Sequence, residues 1–326
     1  MPRVLVAPNT LFSVEGEYRK VLRDIGFDFV EPRKACLMTE DEVIEKLADC
    51  DASLAGSEPY TRGVLDAAPK LRVISKVGVG YDKIDVPACT ERGIVVCLGP
   101  GNADGVAEHT LGLMIALARD FQGQTSAVRE GQWPRRSLTP LRGMTLAICG
   151  LGRCGKAVAK RARAFDMRII AYDPIHDDAF AKQYGVELKS FEDIFVEGDF
   201  VTVHVPLTDE TRGMIGRDQF IKMKKSAVFI NTARGPLVNE EDLHDALNDR
   251  ELAGAGLDVF EQEPPLGSPL MSLSNVILTC HTAGVDLRAR DDMALRAAQN
   301  IAAIWKGEWP AEFVVNPEVR AKARKS

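Results

Sequence analysis

The sequence predicts an α/β fold with two doubly wound parallel sheets, one domain inserted into the other. Three observations carry this. Short apolar segments alternate with helical patterns along the first hundred residues, and a second series repeats the alternation from about 144 to 280. The second series opens on a glycine pattern with an acid behind it. Finally, each end of that series is marked by a long helical stretch, at 102–121 and 285–306. When strands alternate with helices, each helix carries the chain back across the sheet, so successive strands run parallel.

In the first unit the strand candidates are RVLVAP, FDFVE, ASLAG, RVISKV and IVVCL, with helices around 15–25, 40–49, 60–68 and 86–92. The segment 102–121 follows as one strongly apolar helix. The second unit offers six strands, at 144–149, 167–173, 199–206, 227–233, 254–260 and 275–280, the number a full dinucleotide-binding sheet requires. The last helix, 285–306, returns the chain to the first unit. The domains are therefore expected at 1–101 plus 284–326 and at 102–283, with hinges near 101 and 284.

With 326 residues, a net charge of −6 and a pI of about 5.6, the chain has no general surface for nucleic acid or anionic membrane. No apolar run reaches membrane-spanning length, and MPRVLVAP is broken by proline too soon to be a signal segment. The basic tail RAKARKS reads as a solvated end. Seven scattered cysteines without a CxxC pair read as reduced thiols, so a cytoplasmic protein is expected. Histidines and cysteines fall at no metal-ligand spacing, and no metal site is expected.

Residues 144–149 (MTLAIC) run into Gly150-Leu151-Gly152-Arg153-Cys154-Gly155, KAVAKRARAFD follows, and MRIIAYD ends at Asp173. This strand–GxGxxG–helix–strand–acid order is that of a dinucleotide site. Gly150 allows the tight turn, Gly152 lets a pyrophosphate approach, and Gly155 lets the helix lie on the sheet. The helix N-terminus offers N–H groups to phosphate. Asp173 would bind a ribose diol and repel a 2′-phosphate, which favours NAD over NADP.

Ligands of open parallel sheets bind beyond the carboxyl ends of the strands. Arg234, Asp258, Glu263 and His281 all fall at such ends. Singly, each could be a solvated loop residue; together they suit hydride transfer to a 2-keto acid. Arginine holds a carboxylate bidentately, histidine donates a proton near neutrality, and a carboxylate orients the imidazole.

The chain resembles the D-isomer-specific 2-hydroxyacid dehydrogenase family, including its phosphoglycerate dehydrogenase and glyoxylate/hydroxypyruvate reductase branches. The resemblance rests on VGVGYDKID, GNADGVAEHTLGLMIALAR, GLGRCG, YDP, HVPLTDETRGMI, NTARGPLVNEEDL, GLDVFEQEP and TCHTAG. It implies a Rossmann NAD-binding domain inserted into a flavodoxin-like substrate domain. It also implies Arg234 as the substrate-binding arginine, His281 as the acid/base and Glu263 as its partner. Gly150, Gly152, Arg153, Cys154, Gly155, Asp173, His204, Val205, Pro206, Thr211, Thr232, Ala233 and Asp258 would line NAD. Lys76 and the backbone of Val77, Gly78 and Val79 would hold a small anionic 2-hydroxy or 2-keto acid.

One departure is visible: the family commonly has proline before the histidine, where this chain has Cys280. Cysteine does not fix φ; a reactive thiol or a small strand-end residue are its two readings. Lys76 could meet a distal substrate group or solvent. Trp133, Arg135 and Arg136 hint at a homodimer, or are simply solvated. His109, inside an apolar helix, reads as a hydrogen-bonded core residue, and His176 and His244 as surface residues. A different class stays open, an NAD-sensing scaffold like the C-terminal-binding-protein corepressors; the short tail favours an enzyme. Formate and phosphite dehydrogenases share the fold, and Glu263 beside His281 favours a hydroxy acid over formate.

Overall fold

The computed structural model describes residues 1–323 and divides into two compact units. One comprises Met1–Asn102 with the chain from Val285 onward, the other Ala103–Gly284. The end of the basic tail, 324–326, lies outside the described residues.

The first unit holds five parallel strands: β1 (Arg3–Val6), β2 (Asp28–Val30), β3 (Ala52–Ala55), β4 (Val73–Val77) and β5 (Val95–Gly99). Their order is β2-β1-β3-β4-β5, the flavodoxin-like arrangement. Helices α1 (Glu17–Arg23), α2 (Glu40–Leu47), α3 (Arg62–Asp66) and α4 (Val86–Glu91) connect them. The pleat sends alternate side chains to opposite faces. Val4, Val6, Leu54, Val73 and Val95 pack under the helix Leu287–Trp305, whereas Leu5, Ile74 and Val96 face α2 and α3. With both faces covered, nearly every strand position must be apolar. The C-terminal segment is pinned to this sheet by Asn316, which accepts from Val96 N (2.9 Å) and donates to Ile94 O (3.0 Å).

In the second unit, the 102–121 stretch forms one helix, α5 (Ala103–Ala118), and a further helix that the sequence reading did not anticipate, α6 (Phe121–Arg129), begins at the last residue of the stretch. Asp120 separates the two: its φ of +47° leaves the helical region, and its carboxylate accepts from Gly123 N to start α6. Seven parallel strands follow instead of six: β6 (Thr145–Cys149), β7 (Arg168–Tyr172), β8 (Val186–Leu188), β9 (Phe200–Val203), β10 (Val228–Asn231), β11 (Gly254–Leu257) and β12 (Val276–Leu278). The unanticipated β8 is a three-residue edge strand with Glu187 at its centre, too short and too polar for an apolar pattern. The connecting helices include α7 (Arg153–Ala162), α8 (Asp178–Tyr184), α9 (Phe191–Glu197), α10 (Arg217–Phe220) and α11 (Glu240–Asn248).

The strand order β12-β11-β10-β9-β6-β7-β8 reverses direction between β6 and β9. That switch point opens a crevice at the carboxyl ends of the two strands. The register brings the ends level: Cys149 lies opposite Tyr172 and Val203, Val203 opposite Asn231, Asn231 opposite Leu257, and Leu257 opposite Leu278. The residues that come next in each segment therefore emerge along one edge. Among the described residues, no helix is long and apolar enough to cross a membrane.

Candidate active site

The glycine loop is built from both sides of the switch point. Gly150 has φ +98°, and a Cβ there would lie 2.8 Å from the carbonyl carbon of His204. A Cβ on Gly155 would collide with the Gly150 carbonyl oxygen, so α7 lies flush on the loop. Gly152 differs from both. Its φ is −72°, open to any residue, and a Cβ would meet no protein atom within 4 Å. Neither conformation nor internal packing requires glycine at this position. A ligand backed against the loop would require it, as would a pyrophosphate at the uncapped N-terminus of α7. Asp173 ties the loop down, accepting from Leu151 N at 2.7 Å and Ile175 N at 2.8 Å. Each carboxylate oxygen keeps a lone pair for a ribose hydroxyl. The residues present thus fit a dinucleotide.

Arg153 and Cys154 form the first turn of α7; Arg153 is exposed and the half-buried thiol is pushed up by burial, against the nearby charges of Arg234 and Arg153. Across the crevice, His204 N donates to Cys149 O at 2.7 Å, and its Nε2 lies 3.0 Å from Thr202 Oγ1. Burial pushes its imidazole down to about 4, so the ring is neutral near pH 7. Val205 and Pro206 follow it, and the Thr211 hydroxyl closes their turn by donating to Pro206 O at 2.7 Å. Thr232 is buried, 3.0 Å from Thr110 Oγ1. Because Thr110 gives its one proton to Val106 O, Thr232 is the donor.

Arg234 is aimed by a residue that the sequence reading passed over. Asn231, buried at the end of β10, accepts from Ala233 N at 3.0 Å and donates to Arg234 O at 2.9 Å. An asparagine closing an otherwise apolar strand is the signal that could have identified it. Arg234 Nη1 also donates to Ala233 O at 2.6 Å.

His281 Nδ1 is 2.7 Å from Glu263 Oε2, and Glu263 Oε1 accepts from Phe260 N at 3.2 Å. Burial pushes the Glu263 carboxyl up, but its bond to His281 and the charges of His281 and Arg234 outweigh this and hold it below its ordinary 4.5. An ionised carboxylate only accepts, so Nδ1 carries the proton and Nε2 is left for a reacting oxygen. His281 stands at φ +54°, a left-handed conformation costing about 1–3 kcal/mol for such a residue. Asp258 holds it there. Its carbonyl accepts from His281 N (2.8 Å), and its buried carboxylate accepts from Thr282 N (3.0 Å) and Ala283 N (2.8 Å). Cys280, just before the histidine, is exposed.

Arg234, Asp258, Glu263 and His281 thus share one edge with the glycine loop. Lys76, Val77, Gly78 and Val79 belong to the other unit, at the end of β4. Lys76 Nζ bonds Val77 O at 3.3 Å. Gly78 corrects one expectation: its N–H is spent on Gly99 O at 3.0 Å, a bridge that continues the sheet past β4. Of the remaining residues, Trp133 is exposed, Arg136 pairs with Asp120, His176 is exposed, and half-buried His244 bonds Asp245 at 3.2 Å. The seven cysteines are free. Among the described residues, no group of three metal-ligating side chains converges.

Residues 111–283 match the family model for the D-isomer specific 2-hydroxyacid dehydrogenase, NAD binding domain. The chain is 42% identical over 302 residues to D-3-phosphoglycerate dehydrogenase of Methanocaldococcus jannaschii, covering 91% of this chain but only 57% of that protein. It is 44% identical over 286 residues to glyoxylate reductase of Korarchaeum cryptofilum, covering 85% of this chain and 86% of that one. The crystal structure of D-lactate dehydrogenase from Aquifex aeolicus, complexed with NAD and lactic acid, superposes with a TM-score of 0.82 at 26% identity, over 96% of this chain and 98% of that chain.

Gly152→Ala is expected to change unfolding free energy by no more than about 1 kcal/mol while weakening NADH binding at least about tenfold. Titration calorimetry beside denaturant melts checks this, and unchanged affinity would remove the phosphate role. The lowered Glu263 carboxyl has a definite sign as well. Its contribution to stability is present above the ordinary value of 4.5 and fades as pH falls through its lower folded value. Glu263→Gln should therefore flatten the acid side of the stability–pH curve and leave that slope unchanged above pH about 6.

Proposed function

The chain belongs to the D-isomer-specific 2-hydroxyacid dehydrogenase family, with NAD as its cofactor, and we propose that it interconverts a small anionic 2-keto acid and the D-2-hydroxy acid. The observation that carries this reading is the His281–Glu263 pair at 2.7 Å beside Arg234, on the edge that holds the glycine loop. When bound, NADH supplies the hydride that reduces the carbonyl carbon.

The chain's own groups do the rest. Arg234 holds the substrate carboxylate and polarises the carbonyl oxygen. His281 gives its Nε2 proton to that oxygen during reduction and, neutral, takes it back during oxidation. Glu263 keeps the ring in the tautomer that frees Nε2 and offsets the imidazolium charge. Asp258 tunes the same loop and would lie beside the nicotinamide, while Thr232 and Ala233 would line its ribose. Gly150, Gly152, Arg153, Cys154 and Gly155 would form the pyrophosphate cradle, Asp173 would take the adenosine ribose, and His204, Val205, Pro206 and Thr211 would form the adenine side. Lys76 and the backbone of Val77 and Val79 are the substrate-binding segment of the other unit. A homodimer in a reducing cytoplasm completes the proposal, supported by exposed Trp133 and by seven free cysteines.

The test is NADH oxidation with glyoxylate, hydroxypyruvate, phosphohydroxypyruvate, pyruvate and larger 2-keto acids, run beside His281→Ala. Turnover on one or more is expected, falling about 10²–10⁴-fold in the variant with NADH affinity preserved. No turnover on any member, with NADH still bound, would favour the scaffold reading. Asp173→Ala should lower the ratio of kcat/KM with NADH to that with NADPH by about tenfold or more. An unchanged ratio would remove Asp173 from cofactor choice.

A further inference from the structure

Resting on the reading of His281 as acid/base, we propose that His109 is a positioning residue for the reaction. It anchors the Thr279 hydroxyl, and through it the Asp258 carboxylate that holds the His281 loop. His109 lies on α5, far in sequence from the loop, with its side chain 25% exposed. Its Nε2 stands 3.0 Å from Thr279 Oγ1 and 3.6 Å from Asp258 Oδ1.

Proton accounting fixes the direction of the chain of bonds. Thr279 has one hydroxyl proton, and it goes to Asp258 Oδ1 at 2.6 Å. Thr279 Oγ1 must therefore accept from His109, which carries its proton on Nε2. The sequence of donors is His109 to Thr279 to Asp258, each bond polarising the next.

Asp258 is where this chain meets the catalytic loop. Oδ1 accepts from both Thr279 Oγ1 and Thr282 N, and Oδ2 from Ala283 N, while the Asp258 carbonyl takes His281 N. The residues on either side of His281 are thus fastened to one side chain. His281 sits between them in a left-handed conformation that would relax if the fastening loosened. No proline precedes it to stiffen the loop, since Cys280 stands there. The hydrogen bonds to Asp258 carry that task, and His109 and Thr279 steady Asp258 from the helix side.

Three variants test this in the full chain: His109→Leu, which removes the donor; His109→Gln, whose Nε2 can replace it; and Thr279→Val, which cuts the chain one step on. His109→Leu and Thr279→Val should each lower kcat about tenfold to a hundredfold, with KM for NADH within about twofold of wild type. The double variant should be little worse than either single one, because both break the same chain. His109→Gln should recover most of the rate. Amide exchange at Thr282 and Ala283, which needs no turnover, should accelerate in His109→Leu and Thr279→Val and return toward wild type in His109→Gln.

Wild-type kcat and exchange in His109→Leu would overturn the proposal, as would His109→Gln behaving like His109→Leu. Should His109→Leu fail to fold, Thr279→Val decides alone by the same two readouts. A wild-type protein inactive on the whole panel would sink the reading of His281 instead, and the exchange data would still judge His109.

Discussion

Everything at this site depends on six parallel strands ending level. A sheet covered on both faces favours apolar side chains along its strands, so the charged groups of this site gather at the strand ends. Here the register brings Cys149, Tyr172, Val203, Asn231, Leu257 and Leu278 to one edge. The next residues in each segment, Gly150, Asp173, His204, Thr232, Asp258 and Thr279, therefore gather there from across about 130 positions of sequence. A slip of one residue in any strand would turn its side chains to the opposite face and remove its contribution to the edge.

Along that edge, polar groups are satisfied mostly by backbone. Asp173 accepts from Leu151 and Ile175, Asn231 from Ala233, and Asp258 from Thr282 and Ala283. Buried acceptors demand donors, and the turns supply them as N–H groups. The effect is to fix the backbone of the glycine loop, the arginine turn and the histidine turn. Few of the site side chains' own atoms are consumed in this way. His281 spends only Nδ1, on Glu263, and keeps Nε2. A side chain displayed in this way is ready for chemistry because its neighbours, not itself, carry the structural bonds.

Much of this was legible in the sequence, for identifiable reasons. The strands appeared because buried parallel strands are apolar throughout, and the glycine loop because Gly150 and Gly155 answer to steric demands that only glycine meets. Arg234, Glu263 and His281 stood out as charges following apolar runs. Hidden features were set by single local choices. Asp120 ended α5 by leaving the helical region, which no apolar pattern signals, and β8 was too short to show a period. The spent N–H of Gly78 follows from a bridge to Gly99 formed twenty-one residues away. His109 gave no sign beyond being polar in an apolar helix, because its partners Thr279 and Asp258 come within reach only in the folded unit.

Helix α5 shows why such partners matter. Successive residues on it reach two different turns, Thr110 meeting Thr232 after β10 and His109 meeting Thr279 after β12. The two turns stand two strands apart, with β11 between them. Loops at strand ends are the least constrained parts of such a fold, since the ladder hydrogen bonds stop there. A rigid helix that bonds to both limits their independent movement. The arginine turn and the histidine turn are then referred to one body, and the spacing of Arg234 and His281 is set by that body as well as by the sheet. Apolar packing alone could not do this, because it specifies contact but not direction, whereas a hydrogen bond from His109 or to Thr110 specifies both.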